Sequence, residues 1–199
     1  MKPAARALAA WALALWVGTV AAEPLSYRFD PAHTFVHFEL LHFGTSTVRG
    51  RFGPVDGHVV LDRSAGSGEL GLRIPTGTVS TGVAVFDARV RQSDMLATDA
   101  FPEAFFVASR FRFEGQALAE VRGEFTLRGV SQPLSLRARH FACREEDVVN
   151  GARDEVCGGD FEAEFTRGDF GLNYGLPFIA NRVQLRIQVE ARRPIQPKR

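Results

Sequence analysis

Lysine is almost absent from this sequence, and its scarcity excludes several functions. Of the 199 residues 24 are lysine or arginine, yet the only lysines are Lys2 and Lys198, one at each end of the chain. A Schiff-base or lysine-nucleophile mechanism needs a lysine inside the folded chain, so we expect neither. The formal net charge is only +1, and the arginines are scattered among acidic residues. Because nucleic-acid-binding proteins carry clustered basic patches, we expect no nucleic-acid partner.

Long apolar runs are also missing, apart from one near the N-terminus. Lys2 and Arg6 precede the apolar stretch 7–17, and Val20-Ala21-Ala22 supplies the small residues of a signal-peptidase site. This stretch is shorter than the roughly 20 residues that cross a bilayer. We therefore interpret residues 1–22 as a cleaved secretory signal peptide and residues 23–199 as a single exported domain. Removal of the signal peptide would change the formal net charge from +1 to −1.

Cysteine is limited to Cys143 and Cys157, which flank the polar stretch 144–156. An even pair in an exported chain is typical of one structural disulfide. Closing a loop of this length would stabilise the fold by roughly 3 kcal/mol. The C-x-x-C spacing that lowers a thiol pKa is missing, which argues against a redox-active pair.

The rest of the chain mostly alternates polar and apolar residues with period two, as β-strands do. Turn residues such as Asp56-Gly57 separate the segments. Many short strands with one apolar face predict an all-β sandwich or closed barrel. The alternation stops over residues 86–105, where we expect one or two short helices that could act as a flap or cap. The predicted strands are 26–30, 33–43, 47–52, 57–62, 69–75, 105–114, 120–129, 133–141, 160–170 and 182–191.

Three histidines lie in the predicted strand 33–43, whose sequence is HTFVHFELLHF. His33 and His37 share one face of the strand and lie roughly 13 Å apart, while His42 lies on the other face. This spacing does not suit the ligands of one ion, so we expect no metal site. His42 ends the row Thr34, Val36, Phe38 and Leu40, which should face inward. It could contact the polar head of a ligand or satisfy a local carbonyl or carboxylate.

Phenylalanine is abundant, with 17 residues in the chain. Rows of phenylalanine and aliphatic residues on the strands could simply fill a core, but about eight strands in a barrel also leave room for one small ligand. We expect three further rows to face inward: Phe105, Val107, Phe111 and Phe113; Val121, Phe125 and Leu127; and Val183, Leu185, Ile187 and Val189.

Four stretches together resemble a known family, and they are 30–52, 81–109, 121–136 and 166–172. In this order they look like the signatures of the YceI-like family of periplasmic polyisoprenoid-binding proteins. The resemblance implies an extended lipocalin-like antiparallel β-barrel that holds a quinone-type or polyprenyl lipid in its interior. The loop between the cysteines is not part of that pattern. The positions that match recurring family residues are Asp30, His33, His42, Gly50, Ser109, Gly123, Gly129, Phe170 and Gly171.

We therefore expect periplasmic binding or carriage of a long-chain isoprenoid without chemistry, and no cofactor beyond the bound lipid. A membrane protein as donor or acceptor, and a homodimer, are partners to consider. One alternative is a secreted enzyme acting on an isoprenoid, although G-x-S-x-G, H-E-x-x-H and phosphate-loop motifs are missing. A second alternative is a ligand-free interaction domain. The expected ligand-binding residues are Val36, Phe38, Leu40, His42, Phe52, Phe111, Phe125 and Leu185.

Overall fold

A computed structural model describes residues 23–115, 117–148 and 151–195, which form ten strands and, among these residues, one α-helix. The predicted all-β fold is confirmed. The predicted signal peptide, residues 1–22, lies outside the described residues. The strands are β1 (Leu25–Phe29), β2 (Phe35–His42), β3 (Ser46–Phe52), β4 (Asp56–Asp62), β5 (Ser67–Pro75), β6 (Glu103–Glu114), β7 (Ala117–Leu127), β8 (Val130–Asp147), β9 (Arg153–Thr166) and β10 (Arg182–Pro194). The helix is α1 (Ala84–Val90), and two 3-10 turns span Thr76–Thr78 and Arg167–Phe170.

The strands form an antiparallel barrel that closes between β1 and β10. The closed ring runs β1-β4-β5-β6-β7-β8-β9-β10 and therefore contains eight strands, with the β2–β3 hairpin added beside β10. One edge of β10 is shared by two strands, because Ala191 and Arg192 pair with β1 while residues 184–188 pair with β2. The antiparallel barrel that the family resemblance implies is confirmed, with the β2–β3 hairpin as an addition.

This shared edge divides the barrel into two halves along its axis. In the closed half, β1 and β4 complete the ring. In the open half the hairpin takes their place, and Arg51 of β3 exchanges backbone hydrogen bonds with Ser80 at 2.8 and 2.9 Å. Residues 76–101, which we call the cap segment, thus lie against the free edge of β3. The cap segment contains α1, within the region where helices were predicted, although the helix begins at Ala84.

A β-bulge changes the alternation of β6. The register with β7 shifts between Ala108 and Arg110, which leaves Ser109 as the extra residue. Before the bulge the even positions face inward, so Phe106 is 2% exposed, whereas Phe105 and Val107 are 39% and 53% exposed. The prediction that Phe105 and Val107 face inward was therefore wrong. Beyond the bulge the odd positions Phe111 and Phe113 pack against the core, as predicted.

The buried apolar residues form a main core cluster and a smaller second core cluster. The second core cluster fills the closed half of the barrel. Its buried members come from β1, β4, β9 and β10, and they are Tyr27, Val59, Leu61, Cys157 and Ala191. Cys157 lies directly opposite Cys143 in the β8–β9 ladder, and the two form a disulfide. The predicted Cys143–Cys157 disulfide is confirmed. It joins β8 and β9, which are already paired by backbone hydrogen bonds.

A nearly buried ionic network lies beside this cluster. The Glu155 carboxylate accepts hydrogen bonds from the Tyr27 hydroxyl at 2.8 Å, from Arg63 at 2.6 Å and from Arg193 at 2.8 Å. Burial raises the pKa of Glu155, but the hydrogen bonds and positive charges around it outweigh burial and leave that pKa below its usual value. The network therefore holds an ionised carboxylate inside the closed half.

Among the described residues no helix has the length and apolar character needed to cross a membrane.

Candidate ligand-binding cavity

The open half of the barrel contains a cavity of about 680 Å³. This volume falls within the range of small-molecule sites in proteins. Its inner wall is apolar and comes from the barrel strands, with Val36, Phe52, Leu72, Ile74, Ala104, Phe106, Phe125, Leu127, Leu134, Leu136, Leu185 and Ile187 among its residues. Of the described residues that line the cavity, none is Asp, Glu or Lys. The wall suits the hydrocarbon part of a ligand.

Seven of the eight residues predicted to bind a ligand line this cavity, and they are Val36, Phe38, Leu40, His42, Phe52, Phe125 and Leu185. Phe111 does not line it. That residue lies beyond the β6 bulge and packs against both core clusters, towards the closed half. Phe111 therefore packs inside the barrel away from this cavity.

The alternation of β2 explains why four of these residues share one wall. Phe38 packs on Phe52 with ring centroids 5.5 Å apart, and a Cβ atom at Gly50 would collide with the Phe38 ring. Glycine is therefore required at position 50 by close approach. On the opposite face of β2 the Glu39 carboxylate pairs with Arg49 at 3.0 Å and with Arg186 at 3.3 Å. The two faces of β2 thus separate cavity wall from surface ion pairs.

The cap segment supplies a second wall that the site prediction missed. Phe86, Val90, Met95 and Leu96 line the cavity from this side. The Arg91 guanidinium holds the segment together by donating hydrogen bonds to backbone carbonyls within it. The sequence signal was present, because these apolar residues interrupt a polar stretch that has no strand alternation.

Residues 171–181, which we call the mouth segment, form the third wall. The Phe43 N–H donates to the Phe178 carbonyl at 2.7 Å, and the Ala180 N–H donates to the Leu41 carbonyl at 2.9 Å. These bonds fasten the mouth segment to the end of β2. Arg128 joins it to the cap segment, because its guanidinium donates to the carbonyls of Gly171 and Ser93.

Four aromatic residues line the cavity and are also exposed to solvent. Phe43, Phe86, Tyr174 and Phe178 are 59%, 54%, 48% and 64% exposed. The Phe43 and Phe178 rings stack with centroids 5.8 Å apart. Large exposed apolar groups around an opening mark a ligand or partner site. The cavity therefore opens to solvent between the cap and mouth segments, and we call this opening the mouth.

Two polar residues of the cavity, His42 and Arg167, lie against the mouth segment. His42 forms an isolated β-bridge with Ile179 of the mouth segment, and its ring meets the Phe43 ring edge-on at 4.6 Å. Within the described residues its imidazole has no hydrogen-bond partner, so the local carbonyl or carboxylate considered from the sequence is not found. Arg167 also lines the cavity and is 4% exposed. Sequence reasoning missed Arg167, although it lies in the stretch 166–172 that resembles the family.

The other predicted histidines lie outside the cavity. His33 forms a 3.0 Å hydrogen bond with Asp30, near Glu190, in a cluster that could offer metal ligands. Arg192, however, lies 2.9 Å from Asp30 and 3.7 Å from Glu190, so a guanidinium already pairs with both carboxylates. Burial raises the pKa of Asp30, but the hydrogen bonds it accepts outweigh burial and leave that pKa low. The carboxylates of this cluster therefore form ion pairs with Arg192, which link the end of β1 to β10.

A closed antiparallel barrel with an apolar interior cavity defines a lipocalin-like barrel. The comparison with known families assigns the chain further, because residues 27–191 match the YceI-like domain. The chain belongs to the YceI-like family, as the four sequence stretches predicted.

Relatives in bacteria share most of the chain. A UPF0312 protein of Shewanella denitrificans is 32% identical over 160 residues, which cover 80% of this chain and 82% of the relative. Protein YceI of Shigella flexneri is 28% identical over 191 residues, covering 96% and 97% of the two chains. The match with the Shigella flexneri protein thus extends over nearly the whole length of both chains.

Solved structures share the fold at lower identity. Burkholderia cenocepacia BcnA is similar with a TM-score of 0.64 at 19% identity, covering 81% of this chain and 98% of that one. A polyisoprenoid-binding domain from Saccharophagus degradans, implicated in plant cell wall breakdown, has a TM-score of 0.57 at 16% identity, covering 84% and 98%. Both likenesses concern the barrel itself.

Proposed function

We propose that this protein binds a long-chain isoprenoid, of the quinone or polyprenyl type, in its barrel cavity and carries it without chemical change. The observation that carries the proposal is the cavity of about 680 Å³, whose inner wall is apolar and which has His42 and Arg167 beside the mouth segment. An isoprenoid has the same division into a long apolar tail and a small polar head. The Saccharophagus degradans neighbour that is described as polyisoprenoid-binding supports this ligand class.

The energetics favour the tail as the main source of affinity. Each CH₂ removed from water contributes roughly 0.8 kcal/mol, whereas a neutral hydrogen bond contributes about 1 kcal/mol net. Even a few isoprene units therefore outweigh one polar contact of the head group. The expected ligand contacts come from Val36, Phe38, Leu40, Phe52, Phe125 and Leu185, with His42 near the head group.

The proposed compartment is the periplasm. The charged residues, apolar stretch and small residues of positions 1–22 have the order of a signal peptide. A water-insoluble lipid there needs a carrier between membranes, so we propose a membrane protein as donor or acceptor and leave a homodimer as a further proposal. Intact-mass measurement of exported protein tests the first step, because the mature chain should begin at Glu23.

A length series of prenyl ligands tests the binding proposal. Titrating the purified protein with prenyl alcohols of increasing isoprene number should give affinities that rise with length until the cavity is full. Mass spectrometry of organic extracts from protein purified from its exporting cell should find an intact isoprenoid. Affinity independent of tail length, together with no extracted lipid, would favour a ligand-free interaction domain.

The enzyme alternative makes a different prediction. Among the described residues the cavity wall carries one imidazole and neither a carboxylate nor a thiol. His42 is therefore the first candidate for acid–base chemistry, with the Tyr174 hydroxyl as the other titratable neutral group of the wall. A chemically altered isoprenoid whose formation needs His42 would replace carriage with catalysis.

A further inference from the structure

The chain segments around the cavity mouth lack charged residues. They are residues 40–48 at the β2–β3 turn, residues 76–86 of the cap segment and the mouth segment 171–181. These three ranges contain no Asp, Glu, Lys or Arg, although 24% of the whole chain is charged. Charged residues are the ones that proteins normally expose to water. A surface without them therefore needs an explanation beyond contact with solvent.

Exposed apolar side chains occupy this surface instead. Besides the four aromatic residues at the cavity opening, Val83 and Val85 are 44% and 69% exposed beside Phe86, at the start of α1. Val85 does not line the cavity, so a contact with the ligand does not account for it. Apolar residues exposed together mark a contact with a partner or a membrane. We call this surface the rim, and its residues are Phe43, Val83, Val85, Phe86, Tyr174 and Phe178.

Many polar groups of the mouth segment already have hydrogen-bond partners inside the protein. The Ile179 N–H donates to the Gly175 carbonyl at 2.8 Å. The buried Arg167 guanidinium donates to three further carbonyls, those of Leu172, Ile179 and Ala180. Arg167 thus satisfies backbone groups that would otherwise need water.

The other two segments satisfy their polar groups in the same way. The N–H and the hydroxyl of Thr45 both donate to the His42 carbonyl at 3.1 Å. In the cap segment the N–H and the hydroxyl of Thr81 both donate to the Asp87 carboxylate at 2.6 Å. Removing the rim from water would therefore cost few hydrogen bonds.

These features favour a lipid bilayer over a protein as the partner of the rim. A protein interface normally forms about one hydrogen bond per 100–200 Å², and the rim segments offer few free donors or acceptors for them. Hydrocarbon forms no hydrogen bonds, so it accepts only chain segments whose polar groups are satisfied internally. Charge beside the rim is also compensated, because Arg89 donates to both oxygens of Asp94 at 2.6 and 2.7 Å. Phenylalanine and tyrosine side chains suit the boundary between lipid and water.

We infer that the rim docks this protein on the surface of a lipid bilayer, with the rim side chains inserted among the lipids and the cavity mouth facing the membrane. The inference goes beyond the proposed function, because it holds whichever apolar ligand the cavity takes. Burial of apolar surface drives the docking, so it should depend neither on anionic lipids nor on salt. A mouth that faces the bilayer would let a lipid pass between membrane and cavity without crossing water.

Flotation of the purified protein with lipid vesicles tests the docking. The wild-type protein should bind phosphatidylcholine and phosphatidylglycerol vesicles to within about twofold, at low and at high salt, because the rim has no charge that lipid charge could attract. Binding to neither vesicle would overturn the inference, and so would binding to phosphatidylglycerol alone that high salt abolishes. Titration with a prenyl alcohol is independent of this result, so a protein that binds the alcohol but no vesicle would refute the docking and keep the proposed function.

Two exposed valines outside the cavity give a matched pair of variants. Val85→Asp places a charge in the rim, and an acidic residue in the first turn of α1 is compatible with the helix. This variant should bind vesicles about tenfold or more weakly, because a charge would have to enter the bilayer surface. Its affinity for the prenyl alcohol should stay at the wild-type value, which also shows that the variant is folded.

Val107→Asp is the control, because Val107 is 53% exposed on the outer face of β6 and does not belong to the rim. This variant should bind vesicles as the wild type does. If it lost vesicle binding as much as Val85→Asp, the rim would not be the docking surface. A wild-type dimer in light scattering that Val85→Asp dissociates, with no vesicle binding, would assign the rim to a second copy of the chain instead.

Discussion

Phe38 and Glu39 are neighbours on β2 whose side chains lie on opposite sides of the barrel wall, which makes them a matched pair for mutation. Phe38 lines the cavity, while the Glu39 side chain is 14% exposed and pairs with Arg49 and Arg186 on the outer face. Replacing Phe38 with aspartate introduces a carboxylate into the apolar wall. Replacing Glu39 with glutamine removes a charge outside it. Only the first change should affect the ligand.

The magnitudes follow from these surroundings. An unpaired polar group placed against an apolar ligand costs roughly 1–3 kcal/mol, and more when charged, so Phe38→Asp should weaken prenyl binding by about 100-fold or more. Arg49 and Arg186 are 69% and 58% exposed, so each ion pair with Glu39 contributes at most about 1 kcal/mol. Glu39→Gln should therefore lower the free energy of unfolding by up to about 2 kcal/mol and leave binding within about twofold of wild type.

Two measurements on each variant separate folding from binding. Urea denaturation gives the free energy of unfolding, and titration with a prenyl alcohol gives the affinity. Phe38→Leu serves as the folding control, because it shortens the side chain but keeps the wall apolar. If Glu39→Gln lost the ligand while Phe38→Asp kept it, the cavity could not be the binding site.

Three further predictions concern the head group, the disulfide and the ionic network. His42→Ala should weaken binding of a prenyl quinone only a few-fold and leave the alcohol series unchanged; loss of all binding in these titrations would contradict a head-group contact. Replacing both Cys143 and Cys157 with serine should lower the free energy of unfolding in urea by about 3 kcal/mol or less, because the β8–β9 ladder already holds these strands together. Glu155→Gln should destabilise the barrel by about 3 kcal/mol at neutral pH, since it leaves Arg63 and Arg193 without their shared carboxylate. Because the folded pKa of Glu155 lies below its usual 4.5, the wild type should lose this contribution as the pH falls from 4.5 through the folded pKa. The variant should therefore show a flatter acid limb in thermal unfolding scans, and identical limbs would refute the assignment.

Alternation predicted the β2 wall well because β2 has one polar and one apolar face over its whole length. The row Val36, Phe38, Leu40 and His42 lines the cavity as a consequence of geometry alone. The same reasoning failed on β6, where Ser109 is inserted at a bulge and the inward positions change from even to odd. Phenylalanines occur on both faces there, so hydrophobicity carried no signal of the bulge.

The site was predictable in its apolar part and not in its charged part. The apolar character of a residue such as Leu185, on the inward face of a strand, is enough to predict that its side chain is buried. Arg167 does not, because a sequence with many exposed arginines offers no pattern that distinguishes the buried one. Its position depends on the mouth segment, whose carbonyls are brought together only by tertiary contacts. The division of β10 between β1 and β2 likewise depends on pairing that local sequence does not encode.

The packed closed half of the barrel has a consequence for the order of events in lipid transfer. The second core cluster fills that end, whereas exposed aromatic residues surround the mouth. A lipid held as proposed must enter tail first and leave head first, because only one end of the barrel is open. An acceptor would therefore bind the head group while the tail is still inside the barrel. Longer tails would be released more slowly, which makes residence time, and not only affinity, a measure of chain length.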